Sequence, residues 1–179
     1  MNKVLDLKFE KVSYEQFEKD CIKLNIKGDL RSIYEAIKLP KRATKGSAGY
    51  DFYSPLSFKL GNGCISNYFA PLLSKTTITI PTGIRCKMPE SIVLMLFPRS
   101  GYGFKTGTTL ANTVGIIDSD YYYSDNEGHI MLKLVEGFDT LDIKQGQGIM
   151  QGIFTQYFAT EDDDVEEIRN GGFGSTTKE

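Results

Sequence analysis

Ile92-Val93-Leu94-Met95-Leu96-Phe97-Pro98-Arg99-Ser100-Gly101-Tyr102-Gly103 is the stretch on which the reading of this chain turns. Ile92 to Phe97 is the longest uncharged apolar run in the sequence. It is far too short to cross a bilayer and has the length of a strand covered on both faces. Pro98 ends it, and an arginine, a hydroxyl and two glycines follow directly. At a strand end, such residues can offer backbone N–H groups and a guanidinium to a phosphate. A glycine turn carrying a surface arginine is the plainer reading of the same residues.

Outward from this stretch the pattern stays β. Thr76-Thr77-Ile78-Thr79-Ile80 alternates as a half-buried strand does. Ile130 to Val135 and Gly152 to Phe158 form two further strands. Turn residues separate them at Pro81-Thr82-Gly83, Asp125-Asn126-Glu127-Gly128 and Gly146-Gln147-Gly148. Short strands at this spacing predict a sandwich, jelly roll or barrel.

The first forty residues read differently. Val4, Asp6, Lys8 and Glu10 mark an edge strand within residues 3–12, and Ser13-Tyr14-Glu15-Gln16 has the form of a capping box. Tyr14, Phe17, Cys21 and Leu24 follow at helical spacing. Asp29 caps a second helix whose Leu30, Ile33, Tyr34 and Ile37 share one face, and Pro40 ends it. The organisation expected is an N-terminal α/β appendage over 1–37, a β core over 38–160, and an acidic hinge with a glycine-rich tail over 161–179.

Composition bounds the chemistry. The 179 residues are 40% hydrophobic and 25% charged, with net charge -2, as in one globular domain. Residues 1–50 carry eleven Lys or Arg against seven Asp or Glu, and the remainder ten against sixteen, so net +4 and net -6 give -2. The basic excess does not interleave with aromatics, so no nucleic-acid partner is expected. The charged N-terminus has no signal-peptide character, and no membrane association is expected. Cys21, Cys64 and Cys86 lack CxxC spacing, which points to a reducing, cytoplasmic location. His129 is the single histidine. That rules out a His-rich metal site and favours a carboxylate base with a hard cation held by oxygen.

Polar residues and glycines gather in five segments: Gly46 to Asp51, Pro98 to Gly103, Gly115 to Tyr121, Gly146 to Gln151 and Arg169 to Thr177. In the third, Asp118 and Asp120 would share one side of an extended chain, suited to a cation or to setting up a base. A polar turn is the commoner use of Asp-Ser-Asp. Each segment alone is unspecific.

Their order is specific. Ala48–Asp51 (AGYD), Pro98–Gly107 (PRSGYGFKTG), Asn112–Tyr121 (NTVGIIDSDY), Gly146–Gln151 (GQGIMQ) and Arg169–Thr176 (RNGGFGST) resemble the five motifs of the homotrimeric dUTPases. The resemblance runs from about residue 38 to the end. It implies a β jelly roll (β-clip), a homotrimer with sites between subunits, and a flexible C-terminal arm that closes over nucleotide. The reaction implied is Mg²⁺-assisted hydrolysis of dUTP to dUMP and pyrophosphate by water attack at the α-phosphorus.

The same resemblance assigns residues. Asp118 matches the aspartate that activates water, and Asp51 the carboxylate that supports Mg²⁺ through its water shell. Arg99 and Arg169 match groups that neutralise the triphosphate. Ser100, Gly101, Gln151, Ser175 and Thr176 match phosphate contacts, with Gly174 beside them in the arm. Asn112, Gly115, Ile130 and Met131 match the hairpin that reads uracil, largely by backbone. Tyr121 matches the aromatic on the deoxyribose, and Phe173 the residue that stacks on the base. Asp120 is expected to be structural, and His129 a solvated strand residue.

Three features depart from the family pattern. Gly148 stands where an arginine is usual, threonine follows Thr176 where glycine is usual, and the segments Tyr122–Glu127 and Gly61–Lys75 are long. Long surface loops can host a regulatory protein partner, which makes a nucleotide-gated binding protein the alternative class. A dCTP deaminase-type relative is the alternative within the fold, disfavoured because Asp118 to Tyr121 has the dUTPase form.

Overall fold

The computed structural model describes residues 6–61, 76–167 and 169, and over these the chain is mainly β. In order the elements are β1 (Lys8–Lys11), α1 (Tyr14–Lys23), α2 (Leu30–Glu35), β2 (Lys41–Arg42), β3 (Tyr50–Tyr53) and β4 (Phe58–Leu60). Next come β5 (Thr77–Pro81), β6 (Ile84–Lys87), β7 (Ile92–Pro98), α3 (Ser100–Thr106), β8 (Thr109–Leu110) and β9 (Gly115–Ile117). A 3-10 turn (Ser119–Tyr123), β10 (Met131–Val135), β11 (Leu141–Ile143) and β12 (Gly148–Gln156) complete the described chain.

The largest sheet has the order β2-β3-β12-β7-β9, and a second has the order β5-β10-β8. β1 pairs with β6, and β11 with β4. Every pairing is antiparallel. This is the jelly-roll arrangement of open sheets wrapped on one core, with no closed barrel among the described residues. β7 has a partner on each edge, and its Leu94 and Leu96 are buried while Met95 and Phe97 are partly so. A strand enclosed this way needs an unbroken apolar run, which Ile92 to Phe97 supplies. β12 begins at Gly148, earlier than the Gly152 start read from the sequence, so the fourth motif is part of the strand rather than only a turn.

The appendage shares the core. Val12, Phe17, Cys21 and Ile37 pack in the same buried cluster as Phe52, Ile80 and Leu94. Ser13 caps α1 by accepting from the Gln16 N–H at 3.1 Å. The reciprocal arm of a capping box does not form. Ser13 N and Oγ instead donate to Glu127 at 2.7 and 2.6 Å, and the Gln16 amide donates to Asp20 at 2.7 Å. Asp29 caps α2 as expected, but that helix closes at Glu35 and leaves Ile37 beyond it, still buried.

Among the described residues no helix is long and apolar enough to cross a membrane.

Candidate active site

Two cavities bring together residues from different motifs. The first, of about 370 Å³, is lined by Ser47, Gly49, Asp51, Arg99, Ser100 and Gln151 among others. Sheet register builds it: Gln151 on β12 sits opposite Asp51 on β3 and opposite Phe97 on β7. Arg99 leaves the end of β7 and places Nε 3.3 Å from Asp51 Oδ1 and Nη1 3.1 Å from the Gly148 carbonyl. Gln151 donates to the Pro98 carbonyl at 3.3 Å. Its amide lies where a Cβ on Gly49 would stand, 2.8 Å away, so the glycine of the first motif makes room for the glutamine of the fourth. Gly101 sits in α3 with open space around it.

The second cavity, of about 220 Å³, is lined by Leu110, Asn112, Gly115, Asp118, Tyr121, Met131 and Arg169 among others. It opens where two strands part. β8 and β10 pair at Leu110↔Leu134 and Thr109↔Val135, and the Ala111 N–H still reaches the Lys133 carbonyl at 2.9 Å. Beyond that rung Asn112 and Met131 line the gap.

Asp118 does not lie on the extended pair of carboxylates that the sequence predicts. It is the residue before the 3-10 turn, and Asp120 lies within the turn. Arg169 nevertheless gathers both: Nη2 donates to Asp118 and Nε to Asp120 at 3.0 Å. Asp118 is the one carboxylate among the described residues lining this cavity. The Tyr121 side chain is buried, its hydroxyl donating to the His129 carbonyl at 2.9 Å and accepting from Asn126 at 2.7 Å. Burial raises its pKa. Ile130 is fully buried, its N–H donating to Ile84 and its carbonyl accepting from Thr82 N and Oγ1. With both backbone groups engaged inside the chain, Ile130 supports the cavity from behind, while Met131 faces it.

Phe173, Gly174, Ser175 and Thr176 lie outside the described residues, as does the long loop after Gly61. The expectation for His129 is corrected: it is fully buried rather than solvated. Alternation along β10 puts it on the side of Lys133, but at this end of the strand α1 covers that side, with Phe17 ring-to-ring at 6.2 Å and Asp20 hydrogen-bonded. The long Tyr122–Glu127 segment is likewise tied down. Tyr122 donates to Glu10 at 2.6 Å, Asn126 to Tyr121, and Glu127 receives Ser13. None of these appendage contacts was legible in the motifs.

The jelly roll thus sets a cavity lined by Arg99, Ser100 and Gln151 apart from one lined by Asn112, Asp118, Tyr121 and Arg169. The family model described as dUTPase matches residues 35–177. The deoxyuridine 5'-triphosphate nucleotidohydrolase of Lactococcus lactis is 36% identical over 144 residues, covering 78% of this chain and 88% of that protein. Its counterpart from Dictyoglomus turgidum is 33% identical over 159 residues, covering 82% and 95%. The crystal structure of the Streptococcus mutans dUTPase superposes with a TM-score of 0.60 at 29% identity, over 86% of this chain and 98% of that one. A dUTPase from phage phi11 of S. aureus shares the fold, with a TM-score of 0.58 at 19% identity over 90% and 97%. The chain belongs to the dUTPase family. It is an enzyme of the hydrolase class that this family defines.

Proposed function

We propose that this chain hydrolyses dUTP to dUMP and pyrophosphate, removing dUTP before it can enter DNA and supplying dUMP for thymidylate synthesis. The observation that carries the reading is the position of Asp118, at the wall of a base-sized cavity that also holds Asn112, Tyr121 and Met131. A carboxylate there serves as general base, orienting water toward the α-phosphorus and taking its proton. Asn112 and the Met131 backbone read the uracil edge. A donor and acceptor pattern that leaves cytosine groups unpaired gives strong rejection. The Tyr121 ring fills the space beside the sugar carbon that would carry a 2′-hydroxyl.

Arg99, Ser100 and Gln151 take the phosphates, with Arg169 and the arm residues Phe173, Gly174, Ser175 and Thr176 completing the enclosure. No group of three or more His, Cys, Asp or Glu side chains able to hold a metal occurs among the described residues. That donor set fits Mg²⁺ held chiefly by phosphate oxygens and water, with Asp51 beside it, because Mg²⁺ keeps several waters and needs few protein ligands. The metal, when bound, neutralises phosphate charge. The phage phi11 dUTPase structure is itself described as coordinating a structural Mg(II) ion.

Among the described residues of one chain, the anion cavity and the base cavity share no lining residue. This supports a site completed between subunits of an oligomer, which we take to be the trimer. Free, buried Cys21 and Cys86 are in keeping with a reducing cytoplasm. The Tyr122–Glu127 segment is bonded to the appendage, so no observation favours a partner-binding loop there. With Asp118 the one carboxylate among the described residues lining the base cavity, no second acid there supports deamination either.

The test is pyrophosphate release with Mg²⁺ from dUTP, dCTP, dTTP and UTP at equal concentration. Release from dUTP alone supports the reading, and equal release from UTP or dCTP overturns it.

A further inference from the structure

We infer that Asp20, on α1 and outside the segment matched by the dUTPase model, is a positioning residue for sugar and base selection; this rests on the function proposed above. Asp20 acts through His129. Its ring is fully buried, and its Nε2 accepts the Gly83 N–H at 2.8 Å. A nitrogen that accepts carries no proton, so the single ring proton of the neutral imidazole sits on Nδ1. Nδ1 lies 2.6 Å from Asp20 Oδ2 and therefore donates to it. Gln16 donates to the same oxygen at 2.7 Å, holding the carboxylate from its own helix.

What the ring fixes is the backbone of His129, and that backbone carries the site. The His129 carbonyl is the acceptor for the Tyr121 hydroxyl at 2.9 Å, and Asn126 donates to that hydroxyl. Two residues on, Met131 begins β10 and lines the base cavity. Asp20 thus sets the ring, the ring sets the carbonyl, and the carbonyl sets the phenol that walls the sugar.

A third cavity, of about 480 Å³, shows the same closeness from the other side. Asp20 and Lys23 of α1 and its C-cap Leu24 line it together with Asn112 and Met131, which also line the base cavity. Helix α1 is therefore the far wall behind the base-reading residues. Asp20 touches no part of the proposed nucleotide position, so its effect is on geometry, and geometry here decides which sugar and base fit.

The experiment compares steady-state hydrolysis of dUTP and UTP by the full chain with Asp20→Ala, Asp20→Asn and Phe17→Leu, alongside Tm for each. Asp20→Ala leaves the His129 Nδ1 proton without its acceptor. It should raise KM for dUTP about tenfold, with kcat within about threefold, and should lower the dUTP-over-UTP preference by about tenfold. Asp20→Asn keeps an acceptor oxygen and should restore both. Phe17→Leu keeps an apolar side chain beside the His129 ring, loosens the packing of α1 and removes none of the hydrogen bonds of this chain, so it should lower Tm while leaving the preference unchanged. If Asp20→Ala does not fold, Gln16→Met removes one of the two donors to Asp20 and should give the same shift at about two- to threefold.

An unchanged preference in Asp20→Ala, or in Gln16→Met where that is the variant used, overturns the inference. So does a preference lost equally in Phe17→Leu, which would make the effect one of stability. In either case hydrolysis of dUTP by the unaltered chain leaves the proposed function standing. Absence of that hydrolysis overturns both.

Discussion

Gly148 and Arg99 occupy one another's space: a Cβ on Gly148 would stand 2.8 Å from Arg99 Nη1, the same atom that donates to the Gly148 carbonyl at 3.1 Å. The glycine in the fourth motif, where an arginine is usual in the resemblance, thus lets the arginine of the second motif lie across β12 toward Asp51. Gly148→Ala must displace the guanidinium, which is the movable end of a long side chain. Because φ at Gly148 is not positive, the backbone accepts alanine, and Tm should stay within about 2 °C. The KM for dUTP should rise about three- to tenfold as one charge-assisted contact is disturbed. Steady-state kinetics with thermal melts check this, and an unchanged KM would detach Arg99 from the phosphates.

Asp118→Asn removes the proposed base and one of the two carboxylates that Arg169 bridges. Turnover should fall by about two to four orders of magnitude, as on loss of a general base. Calorimetric binding of a non-hydrolysable dUTP analogue should stay within about threefold. Turnover close to that of the unaltered chain would require another base.

Acid should loosen the appendage first. The hydrogen bonds of Glu10 to Lys8 and Tyr122 hold its pKa at about 2, below the ordinary 4.5. Burial pushes Asp20 up, but donors His129 and Gln16 outweigh it, and its pKa lies below the ordinary 3.8. Burial likewise opposes, and the Ser13 bonds outweigh, in lowering Glu127. A carboxylate with a depressed folded pKa adds stability above its unfolded value and loses it as pH falls through the folded one. Tm should therefore be flat above about pH 5 and fall steadily toward pH 2, with a shallower fall in Glu10→Gln. Calorimetry from pH 7 to pH 2 checks the slope.

Cys21 and Cys86 are buried, and burial pushes both thiols up to about 12. The thiolate is the reactive form, so neither should react with iodoacetamide in the native protein at neutral pH. Both should react once the chain is unfolded in urea. Mass spectrometry of peptides bearing each cysteine distinguishes the two states, and rapid native labelling of Cys21 would mean that α1 leaves the core.

Much of the fold was legible in advance because strands depend on local alternation and enclosure. Ile92 to Phe97 announces β7, and Thr76 to Ile80 announces β5. The cap at Ser13 was equally local, its oxygen meeting the N–H three residues on. The candidate residues Asp51, Arg99, Gln151, Asp118 and Tyr121 were found through their motifs, and the tertiary structure sorts them into two cavities. What no local pattern could reveal was the burial of His129. Its outward place in the alternation is reversed by Asp20, 109 residues away in sequence. The Tyr122–Glu127 segment reads as a free insertion until Ser13, 114 residues from Glu127, is seen to hold it. Short-range periodicity sets which residues become strands and caps, because those choices are settled by neighbours along the chain. Which polar groups are buried together depends on which surfaces meet on folding, and a chain reveals that only once its distant segments have closed on each other.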